Sequence, residues 1–145
     1  MTKLLEPPEG RQVFRLTFEP TPADIDENGH VNNVVYLRWT QDLATAHWRS
    51  LAPPDAQATW AWIALRHEID YRRPLVYHPR GVDIDLWTDA IKGASFEIRY
   101  EVRDDATVFA KAASVLVPFD LTAQRPRRVS PEERAFLERY LPLPA

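Results

Sequence analysis

The 145-residue chain has 27% charged residues and a formal net charge of −3, so no bulk positive field favours nucleic acid. It contains no cysteine, which excludes disulfides, thiolate metal sites and a cysteine nucleophile. There is no run of about 18 apolar residues to span a membrane, and the first residues lack the apolar core of a signal peptide. We therefore expect a cytoplasmic protein that binds neither nucleic acid nor membranes.

The first predicted element is a strand at residues 12–20, which ends at a proline. Its apolar face is formed by Phe14, Leu16 and Phe18. Residues 21–33 then show turn chemistry, and Asn28-Gly29 is the sharpest turn signal. A polar segment like this, directly before a helix, is either a simple cap or a catalytic turn.

A long helix is predicted from Val34 to about Leu51, because the apolar spacing changes there from two residues to three and four. Its apolar face is formed by Tyr36, Trp39, Leu43 and His47. The pair Pro53-Pro54 is predicted to end it, since proline interrupts the hydrogen bonds of a helix.

Four strands with short connections are predicted after the helix. The first covers Trp62–Tyr71, and its alternation predicts the inward residues Ile63, Leu65, His67, Ile69 and Tyr71. The second and third are predicted to direct inward Val82, Ile84, Leu86, Phe96, Ile98, Tyr100 and Val102. The fourth lies in the segment 107–119.

This order of elements predicts an α+β domain, in which the long helix covers the apolar face of an antiparallel sheet. A short helix is predicted at the C-terminal end, with Ser130 as its N-cap and Glu133 completing a capping box. A sheet wrapped on one helix leaves strand edges unpaired. A second copy of the chain is therefore an expected partner.

Four segments together resemble a known family. They are "DIDENGHVNNVVYLRW" at Asp24–Trp39, "HEIDYRRPL" at 67–75, "SFEIRYEVRD" at 95–104 and "AKAASVLVPFD" at 110–120. The pattern is similar to that of hot-dog fold acyl-CoA thioesterases of the 4-hydroxybenzoyl-CoA thioesterase-like family. The resemblance implies a single hot-dog domain over residues 1–145, with an antiparallel sheet wrapped around one long central helix. The core would span about 12–120 and the C-terminal helix 130–141.

The resemblance also implies an activity and an assembly. The substrates would be thioesters of coenzyme A or of acyl-carrier protein, hydrolysed without metal or cofactor, with coenzyme A present only as part of the substrate. The enzyme would be a homodimer, often paired again into a homotetramer, with active sites at subunit boundaries.

Within the turn, the resemblance assigns catalytic roles. Asp26 matches the family's catalytic aspartate and would act as general base toward water or as direct nucleophile. The backbone N–H of Asn33 matches the amide that polarises the thioester carbonyl, which fits the unpaired amides at a helix start. His30 is expected to fix the loop by hydrogen bonding, with a direct acid–base role as the alternative.

Asp42 is the runner-up for the catalytic carboxylate, because a related hot-dog branch uses a carboxylate on the central helix and Gln41 stands where a glutamate is frequent. Asp24 and Glu27 are expected to be solvated turn carboxylates, although Asp24 could orient the loop. Residues expected to contact the acyl group or the phosphates of coenzyme A are Asn32, Tyr36, Trp39, Arg72, Arg73 and Arg80. Further cationic candidates are Arg125, Arg127 and Arg128.

The four histidines have no ligand spacing, so no metal site is expected. His47 and His67 are both expected to be buried histidines with satisfied hydrogen bonds. Two other functions stay open. One is a hot-dog hydratase or dehydratase that uses His30 with Asp26, and the other is a non-catalytic module that binds acyl-CoA.

Overall fold

The computed structural model describes residues 13–51, 54, 61–76 and 80–141. The strands in those residues are β1 (Phe14–Phe18), β2 (Ala61–Tyr71), β3 (Val82–Ile91), β4 (Phe96–Arg103), β5 (Val108–Asp120) and β6 (Arg125–Pro126). The helices there are α1 (Asn33–Leu51) and α2 (Pro131–Glu138), and a short 3₁₀ turn covers Pro22–Asp24. The predicted proline stop after α1 includes Pro53, which lies outside the described residues.

The strands pair antiparallel in the order β1-β3-β4-β5-β2, and β6 adds to the end of β5. Because β2 pairs with β5, the strand that follows α1 in sequence lies at one edge of the sheet and β1 lies at the other. Side chains from α1 and from the inner face of the sheet form one hydrophobic cluster. The predicted α+β hot-dog fold is confirmed, while the extent of a single domain over residues 1–145 stays a prediction.

The core lies between α1 and the middle strands. Tyr36, Trp39 and Leu43 follow each other at helical spacing and are all buried, as predicted. They belong to the same cluster as Ile84 and Phe96 from the sheet. Each fully buried large apolar side chain contributes about 1.5–3 kcal/mol to stability, so this stripe fixes how α1 lies on the sheet.

The predicted inward face of β2 is wrong over its first half. Ala64 pairs with Leu116 and Arg66 pairs with Val115, so Leu65 is an extra residue in a β-bulge. One extra residue moves every side chain before it to the opposite face. His67, Ile69 and Tyr71 therefore lie on the inner face, as predicted. Trp62 and Ala64 take the inner positions that had been predicted for Ile63 and Leu65, which are 40% and 66% exposed.

α2 closes one end of the core through a buried carboxylate. Ser130 and Glu133 form the predicted capping box, and the Glu133 side chain is fully buried. The same carboxylate accepts hydrogen bonds from Trp62 Nε1 at 2.5 Å and from both terminal nitrogens of Arg127 at 2.5 and 3.0 Å. Burial acts to raise the pKa of Glu133, but the hydrogen bonds from Arg127, Ser130 and Trp62 outweigh it and hold that pKa below its usual value. Arg127 thus stabilises the fold by pairing with Glu133. A role in binding phosphate had been considered for it.

Candidate functional site

The segment before α1 forms a tight turn closed by Asp26. Ile25 and Val31 form an antiparallel bridge, the Asp26 N–H donates to His30 O at 2.9 Å, and the Gly29 N–H donates to Asp26 O at 3.0 Å. Gly29 has φ of 78°, a conformation that favours glycine. The half-buried Asp26 carboxylate accepts the Asn28 N–H at 2.9 Å. Capping the turn occupies one of its oxygens and does not exclude chemistry at the other.

α1 begins with a partly capped end. Asn32 is the N-cap: its side-chain oxygen accepts the Val34 N–H at 3.0 Å, and its carbonyl accepts the Val35 N–H at 3.0 Å. The Asn33 N–H makes no hydrogen bond within the described part of the chain. This amide stands at the positive end of the helix dipole, which is the position where an oxyanion is stabilised.

Asp24 holds this turn against α1 and is not the solvated carboxylate that was predicted. It is 5% exposed and accepts hydrogen bonds from the Thr21 N–H at 2.9 Å and from the Arg38 guanidinium at 2.8 Å. Its carbonyl accepts the Asn32 N–H at 2.8 Å. Burial acts to raise the pKa of Asp24, but the bonds from Thr21 and Arg38 outweigh it and lower that pKa. Glu27 is exposed, as predicted.

A pocket of about 230 Å³, named the turn pocket, opens beside the start of α1. It is lined by His30, Val31, Asn33, Tyr36, Tyr71, Arg72, Arg73, Pro74 and Leu75. Three backbone hydrogen bonds hold these segments in place. The Val31 N–H donates to Leu75 O at 2.7 Å, and the Arg72 and Arg73 N–H groups both donate to Phe109 O at 2.8 and 3.1 Å. Both arginine side chains are exposed at the pocket.

The turn pocket thus brings together five of the residues predicted from the sequence: His30, Asn33, Tyr36, Arg72 and Arg73. It does not include the others. Asp26 and Asn32 belong to the adjoining turn and cap, Trp39 is buried beside Phe18, and Arg80 is exposed next to Gly81 at the start of β3. Asp42 is exposed on α1 and lines neither of the two pockets described here.

Tyr71 was not predicted as a site residue, although it lies one position before the arginine pair. Its hydroxyl donates to Asn33 O at 2.9 Å, and its ring packs edge-on against Tyr36 with centroids 5.1 Å apart. Burial, and then the nearby Tyr71, raise the pKa of Tyr36 to about 12, so both phenols stay protonated at neutral pH. β2 is therefore fastened to the first residue of α1.

A second pocket, of about 330 Å³, lies between α1 and the edge of the sheet and is named the helix–strand pocket. It is lined by Gln41, Ala44, Thr45, Trp48, Trp62, Ala64, His67, Tyr100 and Leu116. His67 was predicted to be buried, but it is exposed in the single chain because β2 is an edge strand. Because of the bulge at Leu65, the alternating pattern of the sequence did not predict that Trp62 and Ala64 face inward.

The arrangement of the ionisable side chains and the length of the helices bear on metals and membranes. Within the residues that the structure describes, no three histidine or carboxylate side chains lie close enough together to hold a metal ion. Among those same residues, no helix is both long and apolar enough to cross a membrane.

Solved structures share this fold. A predicted thioesterase from Bacillus stearothermophilus is 24% identical with a TM-score of 0.78, covering 92% of this chain and 100% of its own. A thioesterase from Thermus thermophilus, complexed with coenzyme A and Zn, is 25% identical with a TM-score of 0.75, covering 90% and 94%. A hypothetical protein from Staphylococcus aureus in complex with CoA is 15% identical with a TM-score of 0.77, covering 90% and 84%. No curated protein matches the chain.

The family model that matches the sequence describes the thioesterase-like superfamily, and the match covers residues 20–137. That range includes the turn around Asp26, all of α1 and nearly all of α2. The chain therefore belongs to the thioesterase-like superfamily.

Proposed function

We propose that the chain hydrolyses acyl-CoA thioesters at the turn pocket, with Asp26 as general base or nucleophile. The observation that carries this proposal is the N–H of Asn33, which has no acceptor among the described residues. It stands at the start of α1, and Asn33 lines a pocket directly after the Asp26 turn. A backbone donor at a helix N-terminus can hold the oxygen on which negative charge develops. A carboxylate in the same turn supplies the basic or nucleophilic group.

Two routes use these groups. In the first, Asp26 takes a proton from water, and the resulting hydroxide adds to the thioester carbon. In the second, the carboxylate itself adds and forms a mixed anhydride that water then hydrolyses. In both, charge moves onto the carbonyl oxygen beside the Asn33 N–H, and collapse of that intermediate breaks the carbon–sulfur bond. The thiolate of coenzyme A then leaves and takes up a proton.

The other residues of the turn pocket hold the substrate. Arg72 and Arg73 are exposed cations at the pocket and suit the phosphates of coenzyme A. His30 forms part of the wall, and its backbone carbonyl accepts the Asp26 N–H, while a loop-fixing role of its side chain stays a prediction. Tyr36 lines the pocket, Asn32 caps the helix that carries the amide, and Trp39 supports Tyr36 from the core. Arg80 remains a more distant candidate for a phosphate contact.

We further propose that the site is completed by a second copy of the chain in a homodimer, which can pair again into a homotetramer. β2 is 11 residues long, and its outer edge has no partner strand among the described residues. Two β2 edges paired antiparallel about a two-fold axis would bring the Tyr71 end of one next to the Trp62 end of the other. The turn pocket of one copy would then face the helix–strand pocket of its partner, which would receive the acyl group.

The reaction needs no cofactor or metal in this proposal, since water and the groups of the turn suffice. Two structural neighbours were solved with coenzyme A, which supports coenzyme A as the carrier, with acyl-carrier protein as the alternative.

Asp26→Asn tests the proposed function. Asparagine can still accept the Asn28 N–H, so the unfolding temperature should change little, while kcat for thiol release should fall by about 10²–10⁴-fold. Asp42→Asn is the matched control, because Asp42 is an exposed carboxylate on α1 outside both pockets.

Near wild-type kcat in Asp26→Asn would sink the assignment, and inactivation by Asp42→Asn alone would transfer the role to Asp42. A panel of acyl-CoA and enoyl-CoA substrates separates the other functions. Hydration of the enoyl group without thiol release would mark a hydratase, and binding without either reaction would mark a non-catalytic module.

A further inference from the structure

A buried chain of hydrogen bonds ends at the wall of the helix–strand pocket. Tyr100 and Ser114 are only 3% and 1% exposed, and their side chains are hydrogen-bonded to each other. Ser114 Oγ lies 2.7 Å from His67 Nδ1. His67 and Tyr100 both line the pocket, so this series of hydrogen bonds runs from the core of the sheet to a histidine exposed at the pocket.

Each hydroxyl in this series can donate and accept, and one arrangement of its hydrogens makes His67 a donor toward the pocket. Burial raises the pKa of Tyr100 to about 12, so its hydroxyl stays protonated, and in this arrangement it donates to Ser114. The serine hydroxyl has one hydrogen, which is then directed to His67 Nδ1. A neutral imidazole that accepts at Nδ1 carries its proton on Nε2. In this arrangement, Ser114 and Tyr100 hold the tautomer in which His67 is a donor at its outer nitrogen.

The rest of the pocket is largely apolar, and Gln41, Thr45 and Trp48 add further side-chain donors. Ala44, Ala64 and Leu116 provide aliphatic surface, and Trp48 and Trp62 provide flat walls. The indole N–H of Trp48 is buried and has no acceptor in the part of the chain that the structure describes. Donors around an apolar pocket favour a ligand that offers an acceptor, since a purely hydrocarbon ligand would displace water without replacing its hydrogen bonds.

We propose that the helix–strand pocket selects acyl groups that carry an oxygen acceptor, as a keto or hydroxyl substituent, and that His67 Nε2–H donates to that oxygen. The inference rests on the proposed thioester hydrolysis and names its substrate class. His67 is the residue that determines specificity, and Ser114 and Tyr100 are positioning residues that hold its tautomer. Because His67 is on the inner face of β2, backbone pairing along the outer edge leaves its side chain directed at the pocket.

The test compares straight-chain acyl-CoA thioesters with their keto and hydroxy derivatives of the same length. Wild type should prefer at least one oxygenated series by about 10-fold or more in kcat/KM, as a site that hydrogen-bonds its substrate discriminates against the analogue without the group. His67→Phe keeps a ring but removes the donor, so this ratio should fall to about one. His67→Gln retains an N–H donor and should keep part of the preference. Ser114→Ala and Tyr100→Phe should reduce it through loss of the fixed tautomer.

Glu68→Gln is the control, because Glu68 is exposed on the opposite face of β2, and its ratio should match wild type. Equal kcat/KM for all three series in wild type, or an unchanged ratio in His67→Phe, would overturn the inference. Binding of non-hydrolysable thioether analogues, measured by calorimetry, separates this failure from failure of the proposed function. Loss of turnover with a retained His67-dependent binding preference would reject the hydrolysis alone.

Discussion

The hydroxyl of Tyr71 donates a hydrogen bond to the carbonyl oxygen of Asn33 at 2.9 Å, which joins the last residue of β2 to the first residue of α1. This contact fixes the edge strand, where two copies of the chain would meet, relative to the amide proposed to hold the thioester oxygen.

Tyr71→Phe should therefore affect catalysis more than folding. The ring and its packing on Tyr36 remain, and an exposed hydrogen bond contributes only about 1 kcal/mol, so the unfolding temperature should fall by a few degrees at most. If this hydrogen bond positions the Asn33 amide, its loss should weaken stabilisation of the transition state by the same amount, and kcat should fall about 5-fold. Steady-state thiol release and thermal unfolding are measured together. A lower unfolding temperature with an unchanged kcat would show that the contact is merely structural.

Asp24→Asn should destabilise the turn, because a buried carboxylate bound by Arg38 and the Thr21 N–H is replaced by a neutral amide. We expect a loss of about 1–3 kcal/mol in the free energy of unfolding, with lower activity. Glu27→Gln is the control, since Glu27 is exposed in the same turn. The lowered pKa of Asp24 means that its contribution is present above the ordinary value near 3.8 and is lost as pH falls through the folded value. Equal unfolding curves for both variants would contradict this role.

His47 should make the fold sensitive to mild acid. Its ring is buried among Phe14, Phe136 and Tyr140, and this burial lowers its pKa from 6.5 to about 4. The unfolded chain therefore binds the proton more tightly, so stability is full above pH 6.5 and declines as pH falls toward 4, by about 3 kcal/mol in all. His47→Phe removes the titrating group. Denaturant unfolding at pH 7 and pH 5 should then show a smaller pH dependence than in wild type, and an identical dependence would refute the assignment.

Leu65→Glu should weaken dimer formation, because Leu65 is a bulged residue on the open edge of β2 and is 66% exposed in the single chain. Light scattering at micromolar concentration should report a dimer or larger for wild type and a shift toward the monomer for the variant, with activity lost in parallel. Leu121→Glu is the matched control: this leucine is 62% exposed but lies in the turn after β5 and is not part of the edge strand β2. A monomeric wild type with full turnover would remove the shared-site proposal.

Arg72→Ala and Arg73→Ala should raise KM more than they lower kcat, which is the effect of losing uniform binding to a remote part of the substrate. Their effect should shrink with added salt, since exposed charges are screened over about 8–10 Å at physiological ionic strength. Arg139→Ala is the control, because Arg139 is an exposed arginine just after α2. Initial rates across a coenzyme A thioester concentration series give both constants. An unchanged KM in both variants would show that Arg72 and Arg73 do not bind the substrate.

The sequence by itself determined the class of fold and the place of the turn. Helical spacing located α1 to within one residue of its observed start, because Tyr36, Trp39 and Leu43 must all face the sheet. The turn signal at Asn28-Gly29 and the run of polar residues before α1 indicated the segment that the structure folds into a closed turn. These features depend on local preference and on hydrophobic period, which a sequence carries directly.

Only the tertiary structure decided which side chains share a pocket. The bulge at Leu65 exchanged the faces of the first half of β2 and brought Trp62 into contact with Glu133, since an extra residue leaves no signal in an alternating pattern. Asp24 is buried because Arg38 folds back onto it from α1, and the pairing of His67 with Ser114 depends on the register between β2 and β5. Contacts between residues far apart in the chain are set by strand order and register, which no local stretch of sequence specifies.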